Sequence, residues 1–199
     1  MIKYLRIFRD YLDHYGWVLK GKPIPVSHVF KRKRIRHVAK HFGCRVFVET
    51  GTFYGQMIEA LRRSFSDLFS VELSESLYQH CKEKFARDNH VHLYQGDSAK
   101  ELPRVLMKID DQAIFWLDGH YSGPGTAKGD VEGPIVGELD AIRNHHIRDH
   151  CILIDDARCF TGSDGYPTIE KLRLMLLQIN PNYDVAVEND CIIALPHRK

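Results

Sequence analysis

The sequence predicts an α/β protein with a doubly wound, mostly parallel seven-stranded sheet, a C-terminal antiparallel hairpin strand, and helices on both faces. Two observations lead to this prediction. Short apolar runs alternate with helical segments through the middle of the chain, which is typical of parallel sheets connected by helices. Further on, the apolar runs Tyr183 to Glu188 and Cys191 to Leu195 flank the turn residues Asn189-Asp190 and predict a β-hairpin.

Five strands are predicted before the hairpin, each a short apolar run followed by turn or helix signals. They lie near Arg45 to Glu49, Leu68 to Glu72, His90 to Tyr94, Ala113 to Asp118 and Cys151 to Asp155. Helices are expected between them. One runs from about Gly55 to Ser64, the next begins at Ser74, and Pro134 suits the first turn of another.

Residues 1–42 are expected to form an N-terminal helical extension packed on a domain of residues 43–199. Within it, the segment Gly21 to Pro25 should separate two helices, the second over about Arg34 to His41. The basic run Lys31 to Arg34 is expected to be solvated at the start of that helix. Attraction of an anionic substrate, partner or membrane surface is the alternative.

The composition fits one domain, since 44% of the 199 residues are hydrophobic and 27% are charged. A net charge of +2 gives no reason to expect a nucleic-acid partner. Charged residues interrupt the N-terminal apolar pattern before a membrane-spanning length, so no signal peptide or transmembrane segment is expected and a cytoplasmic location is predicted. The residues His145, His146 and His150 are expected on an exposed helix. A homodimer is left open.

Acidic residues end most of the predicted strands. Glu49, Glu72, Asp118 and Asp155 stand at such ends, and Gly96-Asp97-Ser98 follows the third strand. Ligands of open parallel sheets bind beyond the carboxyl ends of the strands. Several carboxylates in one place repel one another. A ligand with hydroxyl and amino groups, or a bound cation, would relieve that repulsion.

The segment Glu49 to Gly55 joins the first strand to a helix through a glycine-bearing turn. Gly51 permits a backbone conformation that a side chain would penalise and allows close approach to a ligand. Gly55 opens a helix whose free amides favour electron-rich groups. Glu72 ends the second strand roughly 20 positions on, where such folds hydrogen-bond ribose hydroxyls. Together these features predict a site for a nucleotide-containing cofactor.

This ordered set of motifs, with the terminal hairpin, resembles the class I S-adenosylmethionine-dependent methyltransferases over about Arg45 to Leu195. The resemblance implies a Rossmann-like fold and S-adenosyl-L-methionine as the cofactor. The implied cofactor-binding residues are Glu49, Gly51 and Gly55 at the methionine end, Glu72 at the ribose, Asp97 and Ser98 at the adenine, and with them Thr50, Thr52, Leu73, Gly96 and Asp118. Phe53 departs from the pattern, because the fullest version of this loop has a further glycine there.

A narrower resemblance is to the macrocin O-methyltransferase and cephalosporin hydroxylase group, in which acids at the ends of the fourth and fifth strands hold a magnesium ion. The matching residues are Asp118, Asp155 and Asp156. Carboxylate oxygens are the ligands that a hard divalent cation prefers, and such a cation would lower the pKa of a coordinated hydroxyl. His120 and Glu138 are candidates to join them.

The same acids have structural alternatives. Asp118 and Asp155 could cap helices or orient water, and Glu138 could form an ion pair with Arg143 or Arg158.

Two loops are expected to form the pocket for a methyl acceptor. Residues 119–133 contain five glycines and are long for a connection, so they are predicted to be a lid, and residues 157–167 should face them. Plain surface connectors are the alternative.

The sequence therefore predicts an enzyme that transfers a methyl group to an oxygen, in preference to a nitrogen, of a small polar acceptor such as a sugar or natural-product hydroxyl, with or without Mg²⁺. Asp118 and His120 are the candidates to accept the acceptor's proton. One alternative is an NAD(P)-dependent oxidoreductase, although the G-x-G-x-x-G spacing is absent. Another is a non-catalytic S-adenosylmethionine-binding protein whose partner docks on the N-terminal helix.

Overall fold

A computed structural model describes residues 2–119, 133–163 and 165–197, with the backbone alone for residues 2–9 and 11. The strands are β1 (Val46–Thr50), β2 (Asp67–Glu72), β3 (Val91–Gln95), β4 (Ala113–Leu117), β5 (Cys151–Asp155), β6 (Tyr183–Glu188) and β7 (Cys191–Pro196). The helices are α1 (Ile2–Leu19), α2 (His28–Phe42), α3 (Gln56–Leu61), α4 (Glu75–Lys84), α5 (Ser98–Leu106), α6 (Ile135–Arg143) and α7 (Ile169–Ile179).

The seven strands form one sheet in the order β3-β2-β1-β4-β5-β7-β6. Neighbouring strands from β3 to β5 pair in parallel, whereas β7 runs antiparallel to both β5 and β6. The hairpin turn has φ of +45° at Asn189 and +59° at Asp190, as a tight two-residue hairpin requires. The predicted fold class, including the antiparallel hairpin strand, is confirmed.

Side chains that alternate along the strands divide the core into two layers. Val48 and Phe115 belong to the layer packed by α5, α6 and α7, and Phe47 and Ile114 belong to the layer packed by α2, α3 and α4. Helices therefore cover both faces. The carboxyl ends of β1 to β5 all open at the same edge of the sheet.

Helix α2 begins earlier than the sequence predicts, because Ser27 caps it. The Ser27 hydroxyl accepts a hydrogen bond from the backbone N–H of Phe30 at 3.3 Å. Lys31 then falls one turn ahead of Ile35, a fully buried residue of the core, and on the same face of the helix. The expectation that the basic run is solvated is wrong at Lys31, whose side chain is 12% exposed, and holds at Lys33.

Among the residues that the structure describes, every helix is too short or too polar to cross a lipid bilayer.

The prediction that His145 and His150 lie on an exposed helix is wrong. Both follow the end of α6 and are buried, and His146 alone of the three histidines is exposed. The His150 Nδ1 accepts a hydrogen bond from the backbone N–H of Ala113 at 3.0 Å, so its Nε2 has the proton and donates to His145 Nδ1 at 2.9 Å. Burial, and to a smaller extent the neighbouring histidines, lower the pKa of His150 to about 3.

This histidine predicts a loss of stability in acid. Between its ordinary pKa of 6.5 and about 3, the unfolded chain binds a proton that buried His150 does not, so the free energy of unfolding falls as the pH is lowered. The slope of the free energy of unfolding against pH should reach about 1.4 kcal/mol per pH unit. Urea unfolding at pH 7, 6 and 5 measures it. Because His150→Gln removes the buried titrating group, the dependence of its free energy of unfolding on pH should be shallower, whereas His37→Gln, on the exposed face of α2, should keep the parent dependence.

Candidate functional site

The turn after β1 approaches the end of β4 closely. Gly51 has φ of +83°, and a Cβ built on it would lie 2.5 Å from the carbonyl oxygen of Asp118. Only glycine fits this backbone and this contact. Phe53, at the position where the family pattern has a further glycine, itself has φ of +51°. Phe53 thus adopts the left-handed backbone conformation that a glycine would take at this position of the turn. Its side chain is 42% exposed.

The carboxylate of Glu72 is fixed against this turn. Its Oε2 accepts a hydrogen bond from the backbone N–H of Phe53 at 2.7 Å, and its Oε1 accepts one from Ser74 at 2.9 Å. Burial raises the pKa of Glu72 above its ordinary value, while these amides oppose the shift. Leu73, half-buried, lies between the two contacts. Each carboxylate oxygen can accept more than one hydrogen bond, so both can still bind ligand hydroxyls.

Glu49 is buried in a chain of hydroxyl groups. The Ser70 hydroxyl donates to Glu49 Oε1 at 2.8 Å and lies 2.5 Å from the hydroxyl of Thr52. Since Ser70 has a single hydroxyl proton, Thr52 is the donor of the second bond. Burial raises the pKa of Glu49 to about 8, although the bond from Ser70 opposes this shift. At neutral pH this carboxyl is therefore mostly protonated.

At the end of β3 the chain turns through Gly96 into α5. The Asp97 Oδ1 accepts from the backbone N–H of Ala99 at 3.0 Å and caps that helix, so one of its oxygens has a structural role. Ser98 donates to Glu138 Oε1 at 2.5 Å, and Glu138 is 1% exposed. This bond joins the start of α5 to the first turn of α6, beside the end of β4.

The arginines considered as partners of Glu138 have other partners in the structure. Arg143 lies 3.1 Å from Asp140, one turn before it in α6. The Arg158 guanidinium contacts Asp156 at 2.8 Å and also Asp190, in the hairpin turn. Asp190 Oδ1 accepts from the backbone N–H of Arg158 as well, at 3.0 Å. The hairpin turn thereby fixes the segment that follows β5.

Three carboxylates meet at the ends of β4 and β5, and a lysine lies with them. Oxygens of Asp118, Asp155 and Asp156 lie within 4.8 Å of one another. The Lys31 Nζ donates a hydrogen bond to Asp155 Oδ2 and lies 3.8 Å from Asp156 Oδ1. Burial alone would lower the pKa of Lys31, but the nearby carboxylates, Asp155 first, raise it above its ordinary value. Lys31 is therefore an ammonium ion.

Sequence analysis missed Lys31 and Ser70 as residues of this region. Lys31 shares a helical face with Ile35 and Val38, which are buried, and this spacing is the signal that would have indicated it. Ser70 stands between Phe69 and Val71 in an apolar strand, and a polar residue fully buried at such a position needs a partner.

His120 and the predicted lid, from residue 120 to 132, lie outside the described residues. Gly119 and Gly133, the described residues that flank this segment, line a small cleft. Leu117, Ile154, Phe160 and Tyr166 line its apolar part, and Glu138 lies at its polar side. The second predicted loop, where it is described, thus contributes two aromatic rings to this cleft.

The close approach at Gly51 predicts a marked effect of one methyl group. Gly51→Ala should lower the free energy of unfolding by about 1–3 kcal/mol, because the new Cβ would clash with Asp118 and the backbone would be strained at positive φ. Gly16→Ala in α1 is the matched control, since a Cβ there meets nothing within 4 Å. It should raise stability by about 0.5–1 kcal/mol. Urea unfolding measures the stability of both variants. Equal free energies of unfolding would contradict this prediction.

The fold matches solved methyltransferase structures. A Staphylococcus aureus protein assigned as a caffeoyl-CoA O-methyltransferase is 13% identical, with a TM-score of 0.58 and 98% of each chain covered. A Bacillus cereus O-methyltransferase solved with SAH is 15% identical, with a TM-score of 0.57, over 95% of this chain and 89% of that one. MycE of mycinamycin biosynthesis, solved with Mg, SAH and mycinamycin VI, is 14% identical, with a TM-score of 0.54, over 81% of this chain and 49% of that one.

No protein-family model matches the sequence, and no curated protein matches it either. At identities this low, the likeness to solved structures establishes that the chain has the fold of these methyltransferases.

Proposed function

We propose that this chain transfers a methyl group from S-adenosyl-L-methionine to an oxygen, in preference to a nitrogen, of a small polar acceptor. The main support is that the Gly51 turn, Glu72, the Asp97-Ser98 segment and Asp118 all follow the carboxyl ends of adjacent parallel strands. A cofactor laid across β1, β2 and β3 would meet these groups in the order methionine end, ribose and adenine. Methyltransferases of this fold that were solved with SAH support the same assignment.

The chemistry of the groups suits that cofactor. Glu72 has fixed oxygens with unused acceptor capacity for the two ribose hydroxyls. Glu49 is a buried carboxyl with a raised pKa, which the positive amino group of the methionine end would favour in its ionised form. Because Gly51 has no side chain, the cofactor can approach the backbone of this turn closely. Thr50, Thr52, Leu73, Gly96 and Ser98 belong to the same segments and complete the proposed cofactor site.

When bound, the cofactor supplies a methyl group on a reactive sulfonium. The acceptor oxygen bonds to the methyl carbon as the carbon–sulfur bond breaks, S-adenosylhomocysteine is released, and the acceptor's proton must pass to a base. The chain therefore has to align the acceptor, exclude water and accept one proton. We assign the role of the base that accepts this proton to Asp118, which lies at the end of β4 and is partly exposed. His120, the other candidate base, stays a prediction.

Several finer predictions stay open to experiment. These are a sugar or natural-product hydroxyl as the acceptor, the likeness to the macrocin O-methyltransferase group, assistance by Mg²⁺, the homodimer and the cytoplasmic location. MycE was solved with both Mg and mycinamycin VI, which supports a small-molecule acceptor for this chain as well.

Two other functions remain as alternatives. A nicotinamide-dependent oxidoreductase would bind NADH in place of S-adenosylhomocysteine, and a fluorescence titration with NADH tests it. A non-catalytic binding protein would bind S-adenosylhomocysteine, form no methylated product with a broad acceptor panel, and retain a protein partner on pull-down.

The first test concerns the cofactor. Calorimetry should show binding of S-adenosylhomocysteine, and Glu72→Ala should weaken it by about 10- to 100-fold, the effect of removing a charged hydrogen-bond acceptor. Glu75→Ala is the matched control, because Glu75 is an exposed carboxylate in the next helix. Thermal unfolding of each variant separates lost affinity from lost structure. Absence of binding by the parent protein would refute the proposal.

The second test concerns the base. Asp118→Asn should leave the affinity for S-adenosylhomocysteine nearly unchanged and lower kcat by about 10²- to 10⁴-fold, as expected for loss of a general base. The measurement is the release of S-adenosylhomocysteine with a panel of hydroxyl acceptors. Asp110→Asn removes an exposed carboxylate at the opposite end of β4 and should keep the parent kcat. Unchanged turnover in Asp118→Asn would remove Asp118 from the mechanism.

A further inference from the structure

Lys31 brings a positive charge from the N-terminal helices into the carboxylate cluster of Asp118, Asp155 and Asp156. Its Nζ hydrogen-bonds to Asp155 and lies 3.8 Å from Asp156. The two partners are largely removed from solvent, with Lys31 12% exposed and Asp155 2% exposed. The pair is thus an internal ion pair and not a surface contact.

The position of Lys31 is set by the helix that bears it and by the Trp116 ring near its ammonium group. Ser27 caps α2 just before it, and Ile35 anchors the next turn of the helix in the core. The Lys31 ammonium lies 5.8 Å from the centre of the Trp116 ring, in the strand that leads to Asp118. A lysine held in this way has few alternative rotamers, and withdrawing it from the carboxylates would leave Asp155 buried without its cation.

A divalent cation bound by the three carboxylates would have to lie where the Lys31 ammonium lies. A magnesium ion shared by the three carboxylates needs their oxygens at about 2.0–2.1 Å from one centre. The ammonium nitrogen already lies at hydrogen-bonding distance from Asp155 and close to Asp156. A second cation a few ångströms away would be strongly repelled in this largely buried position. The carboxylates suit a hard cation by their chemistry, but the cluster as folded is arranged around a lysine.

Arg158 adds a second fixed positive charge. It contacts Asp156 at 2.8 Å and is itself held by Asp190 from the hairpin turn. Asp156 therefore has two protein cations, Lys31 and Arg158, within 4 Å of its Oδ1. Asp155 and Asp156 are thus each paired with a basic side chain of the chain itself.

We propose that Lys31 is a built-in cation that takes the place of a divalent metal ion in this cluster. Its consequence for catalysis depends on the methyl transfer proposed above: the acceptor oxygen would meet an ammonium ion, and transfer would need no added metal. The exclusion of metal from the cluster does not depend on that activity.

Manganese alone is the probe, measured by the electron paramagnetic resonance signal of free Mn²⁺ during titration of the purified protein. The parent protein should show no saturable binding. Lys31→Met keeps the length of the apolar stem but removes the charge, and it should bind Mn²⁺ at least about tenfold more tightly. Lys33→Met, exposed on the same helix, changes the net charge equally and should behave like the parent. Adding Asp155→Asn to Lys31→Met should abolish the gain.

The proposal is overturned if the parent binds Mn²⁺ as tightly as Lys31→Met, or if neither of them binds it. Should Lys31→Met fail to fold by circular dichroism, Lys31→Gln is titrated in its place: saturable binding that the parent lacks supports the proposal, and no saturable binding by the variant overturns it. These titrations contain neither cofactor nor acceptor. A failure of the proposed methyl transfer would therefore leave their outcome unchanged.

Discussion

The contact between β1 and β4 is the constraint on which the arrangement of the candidate site depends. Thr50 pairs with Leu117, and the backbone N–H of Asp118 then donates to the carbonyl oxygen of Thr50 at 3.2 Å. From this pair the sheet continues to β2 and β3 on one side and to β5 on the other. The connection after β1 leaves toward β2, and the connection after β4 leaves toward β5, so a crevice opens between the ends of β1 and β4. Gly51 lies directly over that crevice, which explains why its lack of a side chain matters.

The acids at the strand ends are tolerated because each is compensated in a different way. Glu49 is kept largely protonated by burial, Glu72 is held by two backbone amides, and Asp155 is paired with an ammonium ion. The repulsion expected for several neighbouring carboxylates is therefore reduced by the protein before any ligand binds. A ligand has to match three chemically distinct positions, which is a stricter requirement than neutralising a uniform ring of negative charge.

The fold was predictable from sequence because strand alternation and the Asn189-Asp190 turn are local signals, and strand ends differ from the prediction by at most one residue. For the candidate site, the sequence indicated which segments contribute residues but not which side chains meet. Lys31 and Asp155 are 124 positions apart, and Ser98 and Glu138 are 40 apart, so residue order does not indicate that they meet. The burial of His150 was missed for the same reason, since its partner in β4, Ala113, is 37 positions away.

The place of β7 between β5 and β6 has a consequence for biosynthesis. While the ribosome has released only the chain up to β6, the edge of β5 has no neighbour on that side, although β1 to β4 can already be paired. An unpaired strand edge is a template for pairing with another molecule. Nascent chains that meet during this interval expose this unpaired edge to one another, and the interval ends when residues 191–196 insert. Slower translation ahead of β7 would lengthen it.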